Sequence, residues 1–236
     1  MSSVTTIPIA SLLLGFVPVL LLIVIMRAWG LNALQAMYAN IRMLVQLLLI
    51  GYVLTYIFET DEPVLVVLVV IFMIAMSSWI ALRPLIDRGI KPYSIVVIAI
   101  GVSGLGVLLL VTQIILELPR WYEPRFVIPL AGMIFANSMN TISLAGERFH
   151  AERERGEDYL SARRTAMEAA MIPQVNALLA VGLVSLPGMM TGQILSGVEP
   201  LIAARYQIMV MCMIFSTAGI AAVIYMALKK NSATDS

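Results

Sequence analysis

Three polar clusters interrupt otherwise apolar sequence, and they hold the residues best suited to chemistry. In GMIFANSMNTISLAGERF (132–149), Asn137, Asn140 and Ser143 or Leu144 recur at helical spacing, one turn after Met133. Amides and a thioether on one helix face can line a path for a cation. Interhelical hydrogen bonding is the plainer use of Asn and Ser in lipid, and spacing leaves both readings open. In Pro173-Gln174-Val175-Asn176 the proline removes a helix hydrogen bond and frees a carbonyl. Inside a membrane such groups must face protein or water, and Gln174 and Asn176 answer that need; a simple kink is the alternative. The third cluster is VGLVSLPGMMTGQIL (181–195), with Ser185, Pro187, Gly188, Met189, Met190, Thr191, Gly192 and Gln193. Here Pro187-Gly188 is expected to end a helix, and Gly188 to Gly192 is a small-xxx-small pattern that permits close contact. A broken helix lining a substrate path and an ordinary outer turn both fit.

Sulfur offers less. Of sixteen methionines, Met209, Met211 and Met213 flank the single cysteine, Cys212. Thioethers suit soft metals, but alternate positions do not share a helical face, and packing explains most of them.

Much familiar chemistry is missing from the sequence. There is no G-x-x-x-x-G-K-[ST], and the three lysines are Lys91, Lys229 and Lys230, so this chain does not hold ATP in a phosphate loop. No H-E-x-x-H, G-x-S-x-G or G-x-G-x-x-G occurs. A Ser–His–acid triad would need the single histidine, His150, in a charged segment remote from the apolar clusters. Glu117, Glu147, Glu168 and Glu199 fall near span ends, whereas a proton-coupled carrier usually hides a carboxylate mid-membrane. No cofactor is expected on the chain itself.

The elements that must position these groups are membrane helices. Hydrophobic residues make up 61% of the chain, charged ones 12%, and the mean hydropathy is +0.96. Soluble domains carry about a quarter charged residues. The net charge of +1 argues against nucleic-acid binding. Spans need roughly 20 apolar residues, and seven are expected, at about 7–26, 41–58, 63–82, 93–116, 126–146, 169–187 and 206–228. Twelve of the 15 basic residues then share one side: Arg27, Arg42, Arg83, Arg88, Lys91, Arg148, Arg153, Arg155, Arg163, Arg164, Lys229 and Lys230. Arg120, Arg125 and Arg205 take the other. By the positive-inside rule the N-terminus is outside and the C-terminus cytoplasmic; the acidic turn Glu59 to Glu62 fits the outer face. The N-terminus lacks the basic region of a signal peptide. The expected fold is all-α and polytopic, a single permease domain over 1–236 with a charged cytoplasmic loop or helix at 147–166 and a loose tail from Asn231. Residues 147–170 carry both signs of charge, as a solvated helix with i,i+4 pairs such as His150 with Glu154 would. The sharper reading is docking of a soluble partner through Arg148, His150, Arg153, Arg155, Tyr159, Arg163 and Arg164.

Longer stretches resemble the FetB family of ABC-type metal exporter permeases, related to plant aluminium-sensitivity permeases. They are IRMLVQLLLIGYVLTYIF (41–58), IPLAGMIFANSMNTISLA (128–145) and AAMIPQVNALLAVGLVSLPGMMTGQILSGVEPLIAARYQIMVM (169–211). The resemblance implies a permease in the bacterial inner membrane, served by a separate ATP-binding cassette ATPase that brings ATP and Mg. It implies iron as cargo in bacterial members and makes LPGMMTG a family signature, which favours a functional broken segment. Where the family carries an LGAT-like motif, this chain runs from Tyr159-Leu160-Ser161 straight to Ala162-Arg163-Arg164, so the loop is shortened. The expectation is an exporter of two permeases and two ATPases moving a metal ion. A stand-alone secondary carrier, or a membrane scaffold that binds no ATPase, is the alternative.

Overall fold

Runs of Leu, Ile, Val and Ala without polar interruption leave the backbone one way to satisfy its own polar groups in lipid, which is the helix. The computed structural model describes residues 7–59, 62–87 and 89–234, with side chains undescribed at Ile9 and from 231 on. Thr60, Asp61, Arg88, Asp235 and Ser236, which figure in the expected acidic turn, the basic side and the tail, lie outside the described residues. Among the described residues there are helices and one isolated bridge, and no strand. The chain is a polytopic all-α membrane protein. It forms two compact units, divided after Asp61.

The first unit is a hairpin. Helix α1 (Ile9–Leu14) steps at Gly15 and Phe16 into α2 (Val17–Ala28), and α3 (Ala33–Glu59) returns. The Asn32 side chain caps α3 by accepting from the Gln35 N–H at 3.0 Å.

In the second unit α4 (Pro63–Ala81) and α5 (Ile90–Leu109) pack on α6 (Pro124–Glu154), followed by α7 (Tyr159–Ala180), α8 (Gly188–Leu195) and α9 (Pro200–Thr234). α6 is central, touching α4, α5, α7 and α9. Gly104 of α5 lets the Phe135 ring approach; a Cβ there would sit 2.5 Å from it. α5 ends in a π-helical turn (Leu110–Ile115), where the Thr112 hydroxyl donates back to the Leu108 carbonyl at 2.9 Å. That bond competes with the ladder and widens the turn.

The charged ends of four helices gather at one end of this unit. Lys229 meets Asp87 at 3.5 Å, Tyr159 donates to the Met226 carbonyl at 2.7 Å, and Ser143 donates to the Ala81 carbonyl at 2.9 Å. Arg83, Arg148, Arg153, Arg155 and Lys230 belong to this end, and Arg120, Arg125 and Arg205 to the opposite one.

Six helical stretches are long and apolar enough to cross a membrane: 10–28, 33–59, 63–81, 90–115, 124–154 and 200–230. The stretch expected as a span at 169–187 is not among them. α7 begins ten residues earlier, in charged sequence, and stops at Ala180, seven residues short. Its apolar half, from Ala169, is only about 18 Å long. α3 likewise starts eight residues before the expected span, because the Asn32 cap, not hydropathy, sets its beginning. α6 runs on through Glu154, so the charged segment is two helix ends and a four-residue turn. α9 continues to Thr234, past the point where a loose tail was expected.

Candidate functional site

The α6–α7 seam is built from small residues. Ala162, Ala166 and Ala170 recur every fourth position on α7 and are fully buried, which lets α6 approach closely. The next position in that row is Gln174, also buried. Its amide nitrogen donates to the Thr141 hydroxyl at 3.2 Å and reaches the Asn137 side-chain oxygen at 3.5 Å. Thr141 donates in turn to the Asn137 carbonyl at 3.0 Å, and the Asn137 amide nitrogen to the Met133 carbonyl at 2.9 Å. The structure therefore brings Asn137 and Gln174 together across two helices. Thr141 completes the cluster and was missed by a search for amides; its spacing of four from Asn137 was the available signal.

The other expected members do not join them. A step of three residues turns a helix by about 300°, so Asn137, Asn140 and Ser143 fan out by about 60° each. Asn137 faces α7, Ser143 faces α4, and Asn140 is exposed between them. Asn176 lies about 160° around α7 from Gln174 and is exposed, as is Pro173.

Past Ala180 the chain breaks as a compact unit. The Ala180 carbonyl accepts from the N–H groups of Leu183, Val184 and Ser185, and the Gly182 N–H returns to the Ser185 carbonyl at 3.0 Å. Gly182 has φ +80, which a side chain would resist. Pro187-Gly188, expected to end a helix, instead opens α8, since Pro187 supplies the carbonyl that the Thr191 N–H and hydroxyl share at 3.0 and 3.1 Å. Bonds from Val198 to Gln193 (3.0 Å) and Gly197 to Ile194 (2.9 Å) close α8. α8 packs on α9. Met189 and Met190 are half-buried; Ser185, Gly188 and Gly192 are exposed, and a Cβ at either glycine would meet nothing within 4 Å. Among the described residues the Gln193 side-chain oxygen is buried without a partner, as is that of Gln207 on α9, a residue the sequence reading passed over. A buried oxygen without a donor from the protein is the kind of group that can accept a cation.

At the charged end, most residues expected to dock a partner also hold the helix ends. Arg148 and Arg155 grip the buried Glu152 at 2.6 and 3.1 Å. Arg153 donates to the Glu157 carbonyl at 2.8 Å. Tyr159 packs edge-on to Phe149, with Arg163 and Lys230 each 5.7 Å from its ring. His150 pairs with Glu154 at 3.0 Å, as its spacing predicts, and Arg164 with Glu168 at 2.9 Å. The turn between is locked. Gly156, at φ +90, lets the Glu157 N–H reach the Glu152 carbonyl at 3.2 Å, and the Asp158 carboxylate caps α7 by accepting from the Ser161 N–H at 2.7 Å. Beside it a cleft of about 170 Å³ opens among Leu85, Asp87, Glu147, His150 and Lys229. Among the described residues, no three His, Cys, Asp or Glu gather as a metal site.

The pattern of the uncharacterised protein family UPF0014 matches residues 9–163 and 158–233. The two stretches meet at the start of α7, where the sequence reads as shortened. The chain is similar to a UPF0014 membrane protein of Synechocystis sp., 36% identical over 211 residues (83% of this chain, 82% of the relative). It is 35% identical over 201 residues to the probable iron export permease protein FetB of Escherichia coli (78% and 75%). It is 30% identical over 207 residues to the UPF0014 membrane protein STAR2 of Oryza sativa (80% and 70%). No solved structure matches.

Proposed function

The chain belongs to the UPF0014 family of membrane proteins, and from that membership we propose that it is the permease subunit of an ABC-type exporter carrying a metal ion, iron, out of the cytoplasm. The observation that carries the reading is the 35% identity to a protein named as a probable iron export permease, spread over three quarters of both chains. A bacterial inner membrane fits this relative and the cyanobacterial one. The charged end of the second unit is cytoplasmic in this reading, which places the C-terminus there too.

Two copies work with two ATPase subunits, which supply the ATP and Mg that this chain has no loop to hold. The ATPase docks at the Arg155–Asp158 turn and its neighbouring cleft. Arg148 and Tyr159 are turned into the chain, whereas Arg153, Arg155, Arg163 and Arg164, each with a contact of its own, stay exposed to greet it. Metal passes the Asn137–Gln174 seam and the 181–193 break, where amide oxygens, including that of Gln193, and the Met189 and Met190 thioethers replace its water.

The test is ATPase activity of the purified complex, expressed with the ATP-binding protein encoded beside it, with and without metals. Stimulation by Fe(II) is the expected result. Failure of any ATPase to co-purify overturns the reading in favour of a scaffold or a secondary carrier.

A further inference from the structure

Two glutamines are buried in the second unit, and their amides fare differently. Gln174 finds Thr141 across the α6–α7 seam. Gln207, two turns into α9, is 5% exposed, and among the described residues its side-chain oxygen has no donor. It belongs to the buried row Ala203, Gln207, Val210, Thr217, Ala221 and Tyr225. Tyr225, five turns beyond Gln207 on that row, lies against Gly146 of α6, where a Cβ would come 3.0 Å from its hydroxyl. The row therefore faces the interior of the second unit. Thr217 settles its hydroxyl on the Met213 carbonyl at 2.6 Å. Ala203 and Val210, the neighbours of Gln207 in the row, have no side-chain donor to offer.

The oxygen of Gln193 on α8 is in the same position. Four residues link α8 to α9, and the two helices pack together, so both oxygens belong to one helical elbow. Among the described residues they are the only amide oxygens buried without a partner. A hydroxyl can turn and donate, but an amide oxygen only accepts, and left unmet it costs stability.

We propose that Gln193 and Gln207 are the two protein ligands of one divalent-cation site in the α8–α9 elbow, with water filling the remaining positions. Carbonyl-type oxygens and water suit cations such as Mn(II). Two neutral donors hold such an ion without trapping it, as passage requires. This rests on the metal path proposed above and gives that path a ligand on α9.

The test measures thermal unfolding of the full permease with its ATPase, without metal and with Mn(II) at about 100 times the wild-type Kd. Gln207→Met nearly keeps the side chain's reach and removes its oxygen. Without metal its unfolding temperature should hold or rise, because the unmet acceptor is gone. Mn(II) binding should weaken about tenfold or more, and a tenfold loss at that concentration roughly halves the stabilisation by metal. Gln193→Met should cut the Mn(II)-induced rise in the same way. An undiminished rise in Gln207→Met overturns the site and spares the export reading. A rise untouched by Gln193→Met overturns the shared site. No rise in the wild-type complex with Mn(II) or Fe(II) overturns the site, and absence of Fe(II)-stimulated ATPase activity as well overturns the export reading with it. Gln207→Glu carries the test if Gln207→Met does not fold. It keeps the shape and adds charge, so the Mn(II)-induced rise should grow, and a rise that stays the same or shrinks overturns the site.

Discussion

Replacing Gln174 with Leu separates a residue that glues helices from one that handles cargo. The change keeps most of the side chain's bulk, one atom shorter, and removes its amide. It deletes the 3.2 Å bond to Thr141 and the 3.5 Å approach to Asn137. Thr141 still donates to the Asn137 carbonyl, and Asn137 still donates to the Met133 carbonyl. Only the half-buried Asn137 side-chain oxygen loses its partner, and the Ala162, Ala166 and Ala170 stripe still seats α7. Interhelical hydrogen bonds in membrane proteins average about 0.6 kcal/mol and reach about 1.7, so about 1 kcal/mol of stability should be lost. That leaves nearly all the protein folded. Transport should fall about tenfold or more, which corresponds to about 1.4 kcal/mol of barrier and exceeds what the fold loses. The assay pairs thermal unfolding in detergent with metal transport in vesicles, normalised to folded permease. Asn176→Leu, on the far side of the same helix, serves as the control and should leave the seam's contribution intact. Transport that simply follows the amount of folded Gln174→Leu protein would refute the reasoning and make the cluster glue.

Three further outcomes follow from particular contacts. Gly104→Ala places a Cβ 2.5 Å from the buried Phe135 ring and should cost about 1–3 kcal/mol, whereas Gly101→Ala, three residues away, meets nothing within 4 Å and should gain up to about 1; unfolding temperatures should rank Gly101→Ala above wild type above Gly104→Ala. Asp158→Ala removes the α7 cap and should cost about 1 kcal/mol, read as faster hydrogen exchange in the first turn of α7 while the Ala166–Gln174 turns stay protected. Gly192→Ala fills open space on α8, so unfolding temperature should hold or rise while transport falls, because the proposed metal path runs past the 181–193 break.

Hydropathy made the helices between Pro63 and Ile115 and the core of α9 legible, because there the apolar run and the helix coincide. It failed where other forces set the ends. Nothing in ALLAVGLV says that α7 stops at Ala180; Gly182 in its left-handed turn is the sole mark, and one glycine in an apolar run reads as helix. Pro187-Gly188 reads as a stop but acts as a start, since proline needs no N–H in a first turn. The amides of α6 were legible as unusual residues but not as three separate environments. A spacing of three looks like a face over one step and drifts off it over two. Gln174 against Asn137 depended on the antiparallel register of α6 and α7, which only packing supplies.

The turn at Arg155–Asp158 also sets a length. Both of its ends are locked by backbone and side-chain bonds, so α6 and α7 leave the membrane as one stiff rod, not two strands on a slack tether. Shortening such a rod does not disturb the Thr141–Gln174 register deep inside, because residues lost equally from its two limbs only lower its tip, by about 1.5 Å for each pair. A chain trimmed equally at the end of α6 and the start of α7 therefore keeps its membrane gearing and changes its reach. In the proposed assembly its ATPase must ride closer to the bilayer, and an ATPase fitted to a longer rod would turn over without moving it.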